Sequence, residues 1–167
     1  MPFKYLAHYS PHLQNQVKQL IAEQKLDAYL QSKYPDTHAV KTDKALYQYA
    51  TELKKNHLKN APNLDKVQYD NSIGLTHRAL GLNTAISRVQ GGKLVAAKEI
   101  RIASLFKNAP AEFLKMIVVH ELAHLKERNH DKAFYKLCLH MQPDYHQVEF
   151  DVRVYLTGLD VAKQSLA

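Results

Sequence analysis

The string HELAH at residues 120–124 is the feature that most constrains what this chain can fold into. Histidines at positions i and i+4 share one face of a helix, so the imidazoles of His120 and His124 can converge on one tetrahedral zinc ion (Zn2+). The intervening Glu121 then points toward a water on that ion, which is the arrangement used for hydrolysis. The sequence therefore predicts a long helix, opening near Asn108 and running to about Arg128, that carries a catalytic zinc site.

The distribution of polar residues around this helix supports that interpretation. At about 100° per residue, one side carries a polar stripe that we expect to face solvent, formed by Glu112, Lys115 and Lys126. The two histidines lie on the opposite side among apolar residues, and Glu121 also faces away from water. A carboxylate buried beside two imidazoles is costly without a compensating partner, and a divalent cation supplies one. The alternative is a core histidine pair hydrogen-bonded to the glutamate.

A catalytic zinc needs a third protein ligand, and His130 is the first candidate. On a continuous helix His130 would lie roughly 9 Å along the axis from His124, so the helix must end before residue 130. We expect Asn129 to end it in the left-handed conformation and Asp131 to cap the next helix. The alternative third ligands are Glu149, His140 and His146.

The rest of the chain predicts an α+β fold. Residues 1–60 have helical periodicity, with Ser10 and Thr42 as N-caps, and helices also follow Asp131 and begin near Tyr145. Strands are expected at 67–70, 84–90 and 97–106, with Gly91-Gly92 as a hairpin turn between the last two. The predicted architecture is N-terminal helices, a small antiparallel sheet, the long zinc-binding helix and C-terminal helices.

Charge and cysteine content bear on the partners and the compartment. The net charge of +7 comes from residues 1–106, and residues 107–167 are balanced. A basic region favours anionic partners such as nucleic acid or nucleotides, but these charges alternate with acids, so a solvated surface is the simpler interpretation. The single Cys138 cannot form an internal disulfide, and no leader segment or membrane-length apolar run is visible. We expect a cytoplasmic location and no membrane partner.

A resemblance to a known family rests on the stretch MIVVHELAHLKERNHDKAFYKLCLHMQPDYHQVEFDVR and on the segments SRVQGGKL, EIRIASLFKNAP and TDKALYQYATELKKNHLKNAP. These resemble the YgjP-like metal-dependent hydrolases, relatives of SprT-like and WLM-type zinc metallopeptidases. The resemblance implies a single zincin-like domain, the YgjP-like metallopeptidase domain, over residues 1–167. It also implies zinc on His120, His124 and His130, with Glu121 as the catalytic residue. Many broader members carry a Trp-Gly-Ser-Cys string where this chain has AISR at 85–88, and the subgroup has also been labelled UTP-pyrophosphatase-like.

We therefore predict a zinc-dependent hydrolase, in the first instance a metallopeptidase acting on a peptide or protein substrate. In this interpretation Glu121 takes a proton from the attacking water and donates it to the leaving amine. The strand at 97–106 is expected to offer backbone groups to an extended peptide. Tyr145 and His146 are candidates for stabilising the transition state.

The alternative enzyme is a metal-dependent nucleotide (UTP) pyrophosphatase. Four cations around the predicted hairpin could hold phosphates, namely Arg88, Lys93, Lys98 and Arg101. A third hypothesis is a binding module with a structural zinc ion. Glu121 argues against that hypothesis, because a structural site needs no general base.

Overall fold

The computed structural model describes residues 3–73, 82–90 and 93–166, with residues 82–90 and 93–97 described for the backbone alone. The helices in these parts of the chain are α1 (Pro11–Ala22), α2 (Leu26–Lys33), α3 (Asp43–His57), α4 (Ala111–Ala123), α5 (Lys132–Met141) and α6 (Tyr145–Ser165). The strands are β1 (Lys66–Asp70), β2 (Leu82–Gln90) and β3 (Lys93–Ala103). The α+β class is confirmed. Among the described helices, none combines the length and the apolar character that crossing a membrane requires.

Three of the helices begin at the N-cap residues that the sequence predicts. In each, the side-chain oxygen of the cap accepts the backbone N–H three residues later, at 3.3 Å for Ser10, 3.1 Å for Thr42 and 3.0 Å for Asp131. These bonds satisfy donors that have no partner within the first turn of a helix. The Asp131 cap matters most for the site, because it fixes where α5 begins after the loop that carries His130.

The sheet is mixed, so the prediction of a wholly antiparallel sheet is wrong. The strand order is β1-β3-β2, with β2 antiparallel to β3 and β1 parallel to β3. β1 lies on the side of β3 opposite to β2, and it runs in the same direction as β3. Parallel neighbours need a long connection, which the chain between β1 and β3 supplies. The predicted Gly91-Gly92 turn lies outside the described residues.

Two predicted elements end earlier in the structure than the sequence indicates. The strand expected to run to residue 106 ends at Ala103, where a short 3-10 turn, Ser104–Asn108, buries Phe106 completely. The helix expected to reach about Arg128 ends at Ala123, with His124 as its C-cap. Because α4 ends at Ala123, the chain that follows forms a loop that leads to His130.

Helix α4 is the central helix of the fold. It packs against α3, α5, α6 and β3, and its residues from Met116 to Ala123 are all buried. The predicted polar stripe is the least buried side of the helix: Glu112 and Lys115 are half-buried rather than exposed, and the exposed Lys126 lies beyond the helix end. A helix that is apolar nearly all round is a core helix. The HELAH string thus lies at the end of a helix that is almost entirely buried.

Candidate metal centre

Three histidines meet where α4 ends. His120 lies in the last turn of α4, His124 is its C-cap and His130 lies in the loop before α5. Their Nε2 atoms are 3.2 Å apart for His120 and His124, 3.0 Å for His124 and His130, and 3.3 Å for His120 and His130. The structure thus brings together the three residues that the sequence predicts as metal ligands.

The turn after α4 makes this approach possible. The N–H of Leu125 donates to the carbonyl of Leu122 at 3.0 Å, and the N–H of Lys126 donates to that of Ala123 at 3.1 Å. These bonds span three residues rather than four, so they tighten the last turn and redirect the chain. The prediction of a left-handed Asn129 is wrong, because among the described non-glycine residues only Gln24 has a positive φ.

Phe134 forms the floor of the cluster. Its ring centroid lies 5.0 Å from that of His120, 4.5 Å from that of His124 and 5.0 Å from that of His130. The side chain is completely buried. Phe134 was not predicted to belong to the site. Its position one helical turn after His130, at the start of the helix α5 that Asp131 caps, could have indicated that it lies close to this histidine.

Hydrogen bonds on the outer ring nitrogens orient two of the imidazoles. Nδ1 of His124 lies 2.9 Å from the carbonyl oxygen of Glu127, and because a carbonyl only accepts, this Nδ1 carries the proton. Nδ1 of His120 lies 2.8 Å from the hydroxyl of Tyr145. Such contacts on the outer nitrogen are typical of metal-binding histidines, and the one made by His124 fixes the tautomer that leaves Nε2 free to ligate.

The donor set fits a divalent metal ion. With metal–nitrogen distances of 2.0–2.1 Å, the nitrogens of a tetrahedral site lie about 3.3 Å apart, close to the three spacings found here. Burial, and then the neighbouring His124 and His130, hold the pKa of His120 well below its usual value, so this imidazole is neutral. A divalent cation placed between the three Nε2 atoms would accept a lone pair from each of them. The three residues could therefore hold a metal ion.

Glu121 is the acidic residue next to the cluster in the chain. It is 1% exposed, and burial raises the pKa of its carboxyl well above the usual value. His120 is 7% exposed, His124 is half-buried and His130 is exposed. The cluster therefore has a buried side at His120 and an open side at His130, as a hydrolytic site requires.

The alternative ligands lie outside the cluster. Glu149 pairs with Arg153, whose Nη2 lies 3.1 Å from its carboxylate. His140 packs edge-on against the ring of His57, and His146 packs against Tyr135. Tyr145 lies behind His120 and is completely buried, so it does not face the open side.

Comparison with known proteins gives the class. The sequence model of the YgjP-like family, described as its metallopeptidase domain, matches residues 5–152, and the chain belongs to this family. The family and the histidine cluster together define a metal-dependent hydrolase. The chain is also 57% identical, over 162 residues and 97% of each chain, to a protein of Escherichia coli (strain K12) named UTP pyrophosphatase. No solved structure matches the chain.

Proposed function

We propose that the protein is a zinc-dependent pyrophosphatase that hydrolyses UTP to UMP and pyrophosphate. The observation that carries this proposal is the 57% identity, over 97% of both chains, to the Escherichia coli protein named UTP pyrophosphatase. A match of that extent spans the part of the chain that carries the histidine cluster. The metal-dependent class follows from the family and the histidine cluster.

In this proposal His120, His124 and His130 hold the zinc ion through Nε2, and Glu121 is the general base. Three histidines with an open fourth position are a ligand set that catalytic zinc uses. A bound divalent ion supplies a Lewis acid and lowers the pKa of a water on it. The mutual Nε2 spacings and the neutral state of His120 support this assignment.

The Glu121 carboxylate takes a proton from water as the water oxygen forms a bond to the α-phosphorus of UTP. The bond between that phosphorus and the α,β-bridging oxygen breaks, and pyrophosphate leaves with the bond's electron pair. A general base works best when its pKa lies near the working pH, and burial raises the pKa of Glu121 in that direction.

Peptide hydrolysis is the second candidate, because the matching family model is that of a metallopeptidase domain. One part of the predicted peptide mode is contradicted by the sheet. From Glu99 to Arg101, β3 is paired on both sides, with β1 on one edge and β2 on the other. A substrate strand cannot add to this part of β3, because its backbone donors and acceptors are already used.

The structure also argues against one predicted phosphate ligand, Arg101. The guanidinium of Arg101 lies 3.0 Å from the carboxylate of Glu99 and 3.7 Å from that of Asp70, so its charge is largely balanced. Arg88 and Lys93 have side chains outside the described residues. Lys98, the fourth predicted cation, is half-buried. Cations that lie beside the histidine cluster are considered below.

The experiment is hydrolysis by one zinc-loaded preparation of two substrates, UTP and a denatured protein, with Glu121→Gln as the matched control. The amide is nearly isosteric with the carboxyl, so metal and fold should survive while activity falls about 10²- to 10⁴-fold. We expect UMP and pyrophosphate in equal amounts from UTP, lost in Glu121→Gln. Glu121-dependent cleavage of the protein without pyrophosphate release would overturn the proposal in favour of a peptidase.

A further inference from the structure

The open side of the metal centre is bordered by the loop that carries His130. Phe134 closes the floor of the cluster, and Tyr145 closes the back behind His120. Exposure rises from His120 to His130, so an anionic substrate would reach the cluster from the side of residues 125–131, which we term the ligand loop. The side chains of the ligand loop would therefore contact the part of the substrate that extends beyond the histidine cluster.

Three exposed cations lie on or directly after the ligand loop, namely Lys126, Arg128 and Lys132. None of them forms an ion pair within the described part of the chain. The other two arginines whose side chains are described are both paired, Arg101 with Glu99 and Asp70, and Arg153 with Glu149. Arg128 is therefore the described arginine whose guanidinium is available to a ligand.

The backbone places Arg128 close to the centre. It precedes His130 by two residues, so their Cα atoms are at most about 7.6 Å apart. The main chain beside Arg128 is anchored to the cluster, because the imidazole of His124 binds the carbonyl of the preceding residue, Glu127. The position of Arg128 is thus fixed relative to the three histidines, while its side chain remains in solvent.

The acids Glu127 and Asp131 offset only part of this charge, because residues 126–132 hold three cations and two acids. Asp131 is engaged as the cap of α5, with its Oδ1 accepting the N–H of Phe134 at 3.0 Å. The carboxyl group of Glu127 belongs to a half-buried side chain, whereas Lys126 and Arg128 on either side of it are exposed. The charge that the open side presents to solvent is positive.

We propose that Arg128, assisted by Lys126 and Lys132, binds the β- and γ-phosphates of the nucleotide while the α-phosphorus lies at the histidine cluster. This inference rests on the proposed function. Arginine offers two parallel N–H donors that match phosphate oxygens, and it balances the charge that builds on pyrophosphate as it leaves. Arg128 then determines preference for a triphosphate over a monophosphate.

The test measures binding by calorimetry to the zinc-loaded protein of two ligands, UMP and the α,β-imido analogue of UTP, which keeps all three phosphates but cannot release pyrophosphate. Arg128→Gln should weaken binding of the analogue about 10- to 100-fold, the range for a lost charge-assisted pair, and leave UMP binding unchanged. Arg128→Lys should fall between the parent and Arg128→Gln. Zinc content should stay the same in all variants.

Lys163→Gln is the matched control, because it removes one exposed positive charge about 27 Å along α6 from Tyr145. Analogue binding by Arg128→Gln within twofold of this control would overturn the inference, as would equal weakening of UMP. Steady-state hydrolysis separates the two proposals. If the parent hydrolyses UTP but Arg128 does not affect analogue binding, only the phosphate assignment fails; if the parent does not hydrolyse UTP at all, the proposed function fails.

Discussion

Replacing Tyr145 with phenylalanine should weaken metal binding without unfolding the protein. The substitution keeps the fully buried ring but removes the hydroxyl that meets Nδ1 of His120 at 2.8 Å. When Nε2 of His120 ligates a metal, the ring's one proton must sit on Nδ1, where it would have no acceptor. Without metal the proton can move to Nε2, so the penalty falls on the metal-bound state.

The size of the effect follows from that asymmetry. A buried donor left without a partner costs about 1–3 kcal/mol, which corresponds to about a 10- to 100-fold loss of metal affinity. Competition with a chromophoric chelator would measure the affinity. Tyr69→Phe is the matched control, because it also removes a hydrogen-bonded hydroxyl, 2.6 Å from the carbonyl of Val40, away from the cluster. Equal zinc affinity in the two variants would refute the reasoning.

Two further predictions concern stability. Asp151 is completely buried, accepts hydrogen bonds from Tyr29, Tyr34 and Gln147, and forms an ion pair with Lys33. Asp151→Ala should therefore lower the free energy of unfolding by about 3 kcal/mol, measured by urea titration. A loss under 1 kcal/mol would contradict this prediction. Gln24 has a φ of 58° where α1 ends, so Gln24→Gly should raise the free energy of unfolding by about 0.5–1 kcal/mol, and a decrease would show that the side chain compensates for the strain.

Features set by a few neighbouring residues could be predicted from the sequence. The caps at Ser10, Thr42 and Asp131 depend on one side chain and the N–H three residues later. The inward direction of the HELAH string follows from helical periodicity, and the buried His120 and Glu121 agree with it. The convergence of His130 was also foreseeable, since a straight helix would have placed it out of reach.

Features that depend on contacts with distant segments could not be predicted from the sequence. The parallel pairing of β1 depends on which edge of the β2–β3 pair it meets, and residue patterns in β1 do not encode that choice. The half-buried state of Glu112 and Lys115 depends on the elements packed around α4. The sequence also does not show that short-range backbone bonds, rather than a left-handed Asn129, turn the chain after α4.

The most direct test of the central claim is the zinc content of the purified protein after reloading and desalting, compared among the parent, His130→Ala and Glu149→Gln. The three-histidine centre predicts one zinc per chain in the parent, sharp loss in His130→Ala and full retention in Glu149→Gln, whose side chain pairs with Arg153. Circular dichroism would verify that each variant is folded. Full zinc retention in His130→Ala together with loss in Glu149→Gln would contradict the account.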